Sequence, residues 1–153
     1  MARSFITRSL SHDAAERSFA LLRSAGSAQS LEGWRDFLRR RTERGPGEGG
    51  ILALENRCGV IQGLCSYRID AGLGGERVCC IDDLLAMDLM DSAAAAAWLI
   101  RATEALARLH GAQSLRILLP RTECLSGRLY RKLEQTGHRV ERICLAKGFA
   151  VRD

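Results

Sequence analysis

The sequence lacks any hydrophobic run long enough to cross a membrane. The longest apolar stretch, Ala93 to Ile100, is far shorter than the ~20 residues that a membrane-spanning helix needs, and Arg101 ends it. The first residues, Met1 to Ser4, lead straight into an alternating segment and contain no signal-peptide core. We therefore expect a cytoplasmic protein that has no membrane partner.

The six cysteines lack the spacing of a metal site or of a disulfide framework. They are Cys58, Cys65, Cys79, Cys80, Cys124 and Cys144. No pair has a two-residue gap, and no histidine stands at the spacing of a zinc ligand, so we expect no metal. Because Cys79 and Cys80 are neighbours in a predicted strand, their side chains point to opposite faces. We expect free, buried thiols in a reducing compartment.

Lysine is nearly absent. Lys132 and Lys147 are the only two lysines, and nearly all of the other basic side chains are arginines. The net charge of +5 is spread along the chain, so it permits weak attraction to anions without indicating a nucleic-acid site. The densest run, 39–41 with Arg44, ends a predicted helix, where solvated cations suit the helix dipole. No aromatic stacking platform accompanies this run, and nucleic acid is therefore not an expected partner.

The sequence does contain an ordinary globular composition with clear helix and strand periodicity. Hydrophobic residues make up 46% and charged residues 27% of the chain, and its length fits one domain over residues 1–153. Apolar spacing predicts the order β, α, α, β, β, β, α, β, α, β. The predicted strands cover residues 5–10, 51–55, 60–69, 77–87, 115–119 and 139–146, and the predicted helices cover residues 14–24, 31–41, 93–110 and 125–135.

This order predicts an α/β fold with a mixed, mostly antiparallel central sheet and helices on both faces. The three middle strands form an antiparallel meander, and the fourth and fifth strands separate at their ends. The adjacent Asp82 and Asp83 predict a bulge or bend in the fourth strand, and Asp13 and Glu16 have the spacing of a capping box. In the long third helix we expect an inward face that consists of Trp98, Leu99, Ala102, Leu106 and Leu109.

Four local stretches resemble a known family. Residues 5–15 form a strand, a turn and the start of an Asp-led helix, and residues 59–63 place a glycine turn before a hydrophobic–X–Gly step. Residues 81–88 have the sequence Ile-Asp-Asp-Leu-Leu-Ala-Met-Asp, and residues 129–133 have the sequence Leu-Tyr-Arg-Lys-Leu, followed by Gly137 and His138. In their order and spacing these stretches resemble the GCN5-related N-acetyltransferases over almost the whole chain. That resemblance implies an acyl-CoA N-acyltransferase-like fold.

The resemblance implies an acetyl-CoA site where the fourth strand meets the third helix. The family's usual motif there is Arg or Gln, two residues, Gly, one residue, then Gly or Ala, because bare backbone N–H groups at a helix N-terminus hold a pyrophosphate. The matching stretch here has no glycine and no cation, and Asp91 adds a negative charge. The alternative is that Ser92 is only a helix cap and that the alanines pack against the sheet. The implied cofactor-binding residues are Met87, Ser92, Ala93, Ala94, Ala95 and Ala96.

The resemblance also implies which residues carry the chemistry. Tyr130 stands where the family commonly has an acid that protonates the CoA sulfur, and its alternative role is packing beneath the sheet. Asp82 or Asp83 is the candidate general base of the fourth strand. Because neighbouring strand residues face opposite ways, at most one of them is expected to face the cleft, and the alternative for both is a charged bulge facing solvent. Trp34 and Phe37 would form a wall of the acceptor pocket.

Two functions follow from these expectations. The first is an N-acetyltransferase that uses acetyl-CoA and transfers the acetyl group directly to an unidentified primary amine, so that acyl-CoA and an amine are its partners. The second is a non-catalytic binding module on the same fold, with a decayed cofactor site. In that second case the arginine run would contact an acidic partner or nucleic acid. A homodimer stays open in either case.

Overall fold

The computed structural model describes residues 5–87, 91–119, 127–142 and 144–149. Among these residues, five strands form one sheet: β1 (Ile6–Ser9), β2 (Gly49–Glu55), β3 (Ile61–Ala71), β4 (Arg77–Ala86) and β5 (Ser114–Ile117). The same residues form four α-helices: α1 (Ala15–Ser24), α2 (Leu31–Thr42), α3 (Ser92–Leu109) and α4 (Arg128–Gln135). No helix among the described residues is both long enough and apolar enough to cross a membrane.

The sheet is mixed and mostly antiparallel, as the sequence predicted. The strands lie in the order β1-β2-β3-β4-β5, and every neighbouring pair is antiparallel except β4 and β5, which are parallel. A parallel pair needs a crossover connection, and α3 supplies it here. The later part of the chain therefore returns to the sheet at the outer side of β4.

Helices cover both faces of the sheet, which confirms that prediction. Along β2, Leu52 and Leu54 belong to the core cluster beneath α3 and α4, whereas Ile51 and Ala53 belong to the cluster beneath α1 and α2. This division follows from the alternation of side chains along a strand. All seven residues of β2 are buried, so this strand is the centre of both cores.

Gly63 allows α3 to lie directly on β3. A Cβ at this position would stand 2.7 Å from Leu99 Cδ1 and 3.1 Å from the carbonyl oxygen of Leu85. Leu99 and Ile100 are fully buried on this face, and the close contact fixes α3 against the sheet. As a result, the first turn of α3 lies next to the end of β4, where the sequence predicts the cofactor site.

The predicted inward face of α3 is wrong at two positions. Trp98 is 41% exposed and packs edge to face against Phe5, and Leu109 is 80% exposed. The helix begins with five alanines, and small residues on every side give no sequence signal for which face is buried. The buried face instead consists of Ala95, Ala96, Leu99, Ile100, Thr103 and Ala107.

The predicted capping box at Asp13 and Glu16 is also wrong. A single 3-10 turn, His12–Ala14, precedes α1, and the helix begins with Ala14 as its N-cap and without a side-chain cap. The turn shifts the helix start past Asp13, whose carboxylate instead lies 3.1 Å from His12 Nε2. Glu16 is paired with Arg35 of α2, so its carboxylate joins the two helices.

The last predicted strand, residues 139–146, does not form in the described part of this segment. Residues 139–142 and 144–149 belong to no strand, and Val140 and Leu145 are 57% and 91% exposed. Alternating apolar residues indicate which side chains a strand would bury, but they do not supply a hydrogen-bonding partner. Strand β5, at the edge of the sheet, has only four residues with which a further strand could pair.

Candidate active site

The ladder between β4 and β5 ends halfway along β4. It pairs Val78 with Ser114 through to Ile81 with Ile117, and the Leu118 N–H then donates to the Ile81 carbonyl at 3.0 Å. Strand β4 continues to Ala86, paired with β3 alone among the described residues. The predicted separation of the fourth and fifth strands stays a prediction, because the ladder stops where β5 itself ends at Ile117. Beyond Ile81, no described strand lies beside this edge of β4, and we call this edge the opening between β4 and β5.

A β-bulge lies where this ladder ends. Ser66 of β3 pairs with Asp83 and Tyr67 pairs with Ile81, so Asp82 is the extra residue. Ile81 and Leu84 both pack in the cluster beneath α3, and the two aspartates between them therefore turn to the α1–α2 face. The predicted bulge is confirmed. The bulge interrupts the alternation from which we expected at most one of the two aspartates to face the cleft, and both lie on the same face.

The two aspartates have different surroundings. The Asp82 carboxylate, 19% exposed, accepts a hydrogen bond from Arg68 Nε at 2.7 Å and lies 3.5 Å from Arg41 Nη1. The same hydrogen bond raises the pKa of Arg68 above its ordinary value. Asp83 is exposed and has no ion pair or side-chain hydrogen bond among the described residues. Of the pair, Asp83 is the one whose carboxylate a ligand could contact.

Asp91 is the N-cap of α3. Its Oδ1 accepts the N–H of Ala94 at 3.0 Å, and its carbonyl accepts the N–H of Ala95 at 3.2 Å. Ser92 is thus the first helical residue and is exposed, rather than the cap. In the first turn, only the N–H groups of Ser92 and Ala93 have no partner among the described residues. Fewer N–H donors are therefore available to a phosphate than the predicted site at residues 93–96 implied.

Arg128 brings a cation to the start of α3. It is the first residue of α4, and its Nη2 lies 3.9 Å from Asp91 Oδ2 with 69% of the side chain exposed. Sequence reasoning missed this residue, because it looked for a cation only within the stretch before and inside α3. The packing of α4 against α3 is what places Arg128 there, and it offsets the charge of Asp91.

Tyr130 lies on the other face of the sheet from the aspartates. Its hydroxyl donates to Glu134 Oε1 at 3.3 Å, and its ring lines a cavity of about 740 Å³ between α3, α4 and residues 115–119. The core of α4 is formed by Leu129 and Leu133 instead.

The two predicted acceptor-pocket residues differ in exposure. Trp34 is buried at 5% exposure, and its Nε1 donates to Ser18 Oγ at 2.8 Å, so it joins α2 to α1. Phe37 stacks on Trp34 with ring centroids 5.6 Å apart, and it lines a groove of about 500 Å³. Phe37 is therefore the one that a ligand on this face can touch.

Met87 lies beyond the end of β4, away from the bulge, whereas Ser66 lies in the bulge itself. Met87 is 42% exposed, and its N–H donates to the Gln62 carbonyl at 2.8 Å, which ends the pairing of β4 with β3. Ser66 is 4% exposed, and its Oγ has no hydrogen-bond partner in the described part of the chain. No pattern in the sequence marks Ser66, because a serine inside a strand has no distinctive spacing.

Comparisons with known proteins fit this geometry. No protein-family model and no curated protein matches the sequence. Among solved structures, glucosamine-6-phosphate N-acetyltransferase from Arabidopsis thaliana is similar with a TM-score of 0.77 and 14% identity, over 96% of this chain and 99% of that one. A GNAT family acetyltransferase from Staphylococcus aureus subsp. aureus USA300_TCH1516 is similar with a TM-score of 0.73 and 12% identity, over 95% and 99% of the two chains.

A third similar structure contains a ligand. It is an aminoglycoside N-acetyltransferase in complex with CoA, with a TM-score of 0.69 and 13% identity, and the match covers 98% of both chains. At such identities the likeness shows the fold and not the substrate. The chain has the fold of the GCN5-related N-acetyltransferases (GNAT), as its sequence resemblance implied.

Proposed function

We propose that this protein transfers an acetyl group from acetyl-CoA directly to a primary amine. The observation that carries the proposal is the end of the β4–β5 ladder at Ile81, beside the bulge that presents Asp82 and Asp83. A ligand in this opening would have the first turn of α3 at one end and the two carboxylates on the α1–α2 face. A donor that carries a phosphate needs a phosphate-binding site, which the first turn of α3 would supply. An amine acceptor needs a carboxylate that takes its proton, which the bulge would supply.

The open edge of β4 supports binding of the acetyl-CoA arm. Residues 82–86 have backbone groups on the β5 side that pair with no described strand, and such groups favour an extended partner that carries amides. The pantetheine arm of CoA is a partner of that kind. Met87 would contact the arm at the end of the strand, where it is exposed.

The start of α3 supports binding of the pyrophosphate. The N–H groups of Ser92 and Ala93 and the positive end of the helix dipole would interact favourably with it, and Arg128 would add a charge-assisted contact. The N–H of Ala94 already donates to Asp91. Residues 94–96 would thus contribute mainly small side chains that let a phosphate approach.

The proposed chemistry assigns one proton transfer to each face of the sheet. Asp83 takes a proton from the incoming ammonium, and the free amine then forms the C–N bond to the acetyl carbonyl carbon. As the C–S bond breaks, Tyr130 gives its hydroxyl proton to the leaving sulfur, and the second proton that the nitrogen loses on becoming an amide returns Tyr130 to its neutral form through solvent. Asp82 stays charged between Arg41 and Arg68 and keeps the bulge in place.

The similar structures support the donor and leave the acceptor open. One of them is in complex with CoA, which supports CoA as the ligand of this fold. Two are named for different amine acceptors, an amino sugar phosphate and an aminoglycoside. The fold thus serves more than one acceptor, so the amine has to be identified from this chain's own groove.

One observation favours the second candidate, a non-catalytic binding module. The Asp91 carboxylate occupies the Ala94 N–H and adds a negative charge where a pyrophosphate would lie. If this cap excludes the phosphate, the protein would not bind acetyl-CoA and would keep only the groove on the α1–α2 face that Phe37 lines. Direct binding of acetyl-CoA separates the two candidates.

Ser92 offers a sharp test, since it is exposed and opens α3. Ser92→Arg should tighten acetyl-CoA binding in calorimetry by about two- to fivefold, because its exposed guanidinium could form a charge-assisted contact with the phosphate. Ser92→Asp should weaken it by a similar factor while leaving the melting temperature unchanged or higher, because an acidic residue suits the first turn. Release of CoA thiol with a panel of primary amines then tests transfer. Equal affinities in both variants and the parent would contradict the proposed phosphate site.

A further inference from the structure

A groove rich in arginine lies beside Asp82 on the α1–α2 face. It has a volume of about 500 Å³ and runs between the end of α2 and the paired ends of β2 and β3. Its cationic lining consists of Arg40, Arg41, Arg44 and Arg68, and we call it the arginine groove. The ring of Phe37 forms an apolar part of its wall, and acidic side chains lie around it.

Two of the four arginines are held in place by the protein. Arg41 lies over the Phe37 ring, 5.3 Å from its centroid, and its Nη1 is 3.5 Å from Asp82 Oδ2. Arg68 binds both Asp82 and Asp70, at 2.7 Å and 2.6 Å. These contacts build the end of the groove that adjoins the bulge.

The other two arginines retain binding capacity. Arg40 has no ion-pair partner among the described residues. Arg44 has only Glu48, at 3.8 Å, and both of these side chains are largely exposed. An exposed pair at that distance contributes little, so its guanidinium can exchange the carboxylate for a better anion. A phosphate or carboxylate offers the bidentate geometry that a guanidinium prefers.

The bulge next to the groove offers groups of the opposite kind. Asp83 presents a carboxylate without an ion pair among the described residues, and Ser66, its cross-strand partner, has a buried Oγ without a hydrogen bond there. The exposed carboxylate of Asp83 can pair with a ligand ammonium, whereas the buried Ser66 Oγ has no surface that a ligand could contact. The α1–α2 face therefore combines an amine-binding end with an anion-binding end.

We propose that the acceptor carries an anionic group, a phosphate monoester or a carboxylate, in addition to its primary amine. This inference rests on the proposed acetyl transfer, since it assigns the amine end to the bulge and the anion to Arg40 and Arg44. The arginine groove selects acceptors by that second charge. Neutral amines of the same size bind weakly.

The test uses two matched pairs of probes and does not depend on acetyl-CoA. O-phosphoethanolamine is compared with ethanolamine, and glycylglycine with glycylglycinamide, by NMR titration of the full chain. We expect at least one anionic probe to bind about threefold or more tighter than its neutral partner. The phosphate and carboxylate pairs show which anion the groove prefers. The Arg40→Gln/Arg44→Gln double variant should lose the preference, and Arg57→Gln, an exposed arginine in the turn between β2 and β3, should keep it.

The results of these titrations either support or overturn the anion site at Arg40 and Arg44. The inference is overturned if neither anionic probe is preferred, or if Arg57→Gln reduces the preference as much as the double variant, since the effect would then be one of net charge. A preference that depends on Arg40 and Arg44 supports the anion site even if acetyl-CoA fails to bind. In that case the acetyltransferase proposal falls and the anion site stands.

Discussion

The carboxylate of Asp91 accepts the backbone N–H of Ala94 at 3.0 Å, and in doing so it occupies a donor that a phosphate would use. An N-cap and a bound phosphate satisfy the same unpaired N–H groups of a helix. In this chain the cap stabilises α3 permanently, whereas acetyl-CoA would be present only during the reaction. Removing the charge while keeping the hydrogen bond should therefore favour the ligand.

The first prediction concerns Asp91→Asn and Asp91→Ala. Asparagine keeps the capping oxygen and removes the charge, so Asp91→Asn should bind acetyl-CoA more tightly than the parent with little change in melting temperature. Asp91→Ala removes the cap as well and should cost about 1 kcal/mol of unfolding free energy. Calorimetry and urea denaturation measure the two effects. Glu32→Gln, an exposed residue of α2, is the control for the same change in net charge. Weaker binding by Asp91→Asn would show that this carboxylate does not oppose the ligand.

The second prediction concerns Tyr130→Phe and rests on the proposed transfer. Loss of the hydroxyl removes only the proposed proton donor, so turnover should fall by about 100-fold while acetyl-CoA affinity stays near that of the parent. Steady-state rates and calorimetry on the same protein separate these effects. Glu134→Gln is the matched control, because it changes the hydroxyl's hydrogen-bond partner and keeps the hydroxyl. Unchanged turnover in Tyr130→Phe would remove this residue from the mechanism.

The third prediction concerns thiol reactivity. Burial raises the pKa of Cys65 and of Cys79 to about 12, and thiolates are the reactive form. At pH 8, about one such thiol in ten thousand is ionised, so both should resist iodoacetamide in the folded protein. Cys58 and Cys144 are exposed and should be labelled first. Mass spectrometry of the alkylated native protein reads this directly, and early labelling of Cys65 would show that its environment is open to solvent.

Burial of these thiols should also lower the free energy of unfolding at alkaline pH. An unfolded thiol ionises near pH 9, whereas the pKa of Cys65 in the folded chain is about 12, so the unfolded state loses protons that the folded state keeps. Stability is therefore fully present below pH 9 and should fall as the pH rises towards 12, with Tyr67 adding to the loss because its pKa is also raised to about 12. Melting temperatures across this range should fall less steeply in Cys65→Ala than in the Cys58→Ala control. Parallel curves for the two variants would contradict this origin.

The fifth prediction concerns the packing of α1 against α2. Ser18→Ala leaves the buried Trp34 Nε1 without its acceptor and should cost about 1–3 kcal/mol of unfolding free energy. Ser24→Ala, which removes an exposed serine hydrogen bond in the same helix, should stay within about 0.5 kcal/mol of the parent. Urea denaturation measures both. A loss of equal size in the two variants would mean that the Trp34 hydrogen bond has no special weight.

Local chemistry in the sequence predicted the bulge, because two adjacent aspartates do not suit a regular half-buried strand. The inward face of α3 was predicted correctly at Leu99, Ala102 and Leu106 but not at Trp98 and Leu109, because the alanine run is small on all sides and Trp98 gave a misleading apolar signal. Arg128 and Ser66 could not be found either. Their importance comes from tertiary packing that brings α4 to α3 and β3 to the bulge, and neither contact has a signature in sequence spacing.

The short β4–β5 ladder also has a consequence for how the fold assembles. The pairings of β2 with β3 and of β3 with β4 are local, whereas β1 reaches β2 only across α1 and α2, and β5 reaches β4 only across α3. Because non-local pairings form late and local ones early, the edge strands β1 and β5, with four residue pairs each, should join the β2–β3–β4 meander last. These two strands should also be the first to exchange their amide hydrogens. A brief opening that releases β5 would dismantle the proposed acetyl-CoA opening and leave the antiparallel meander folded.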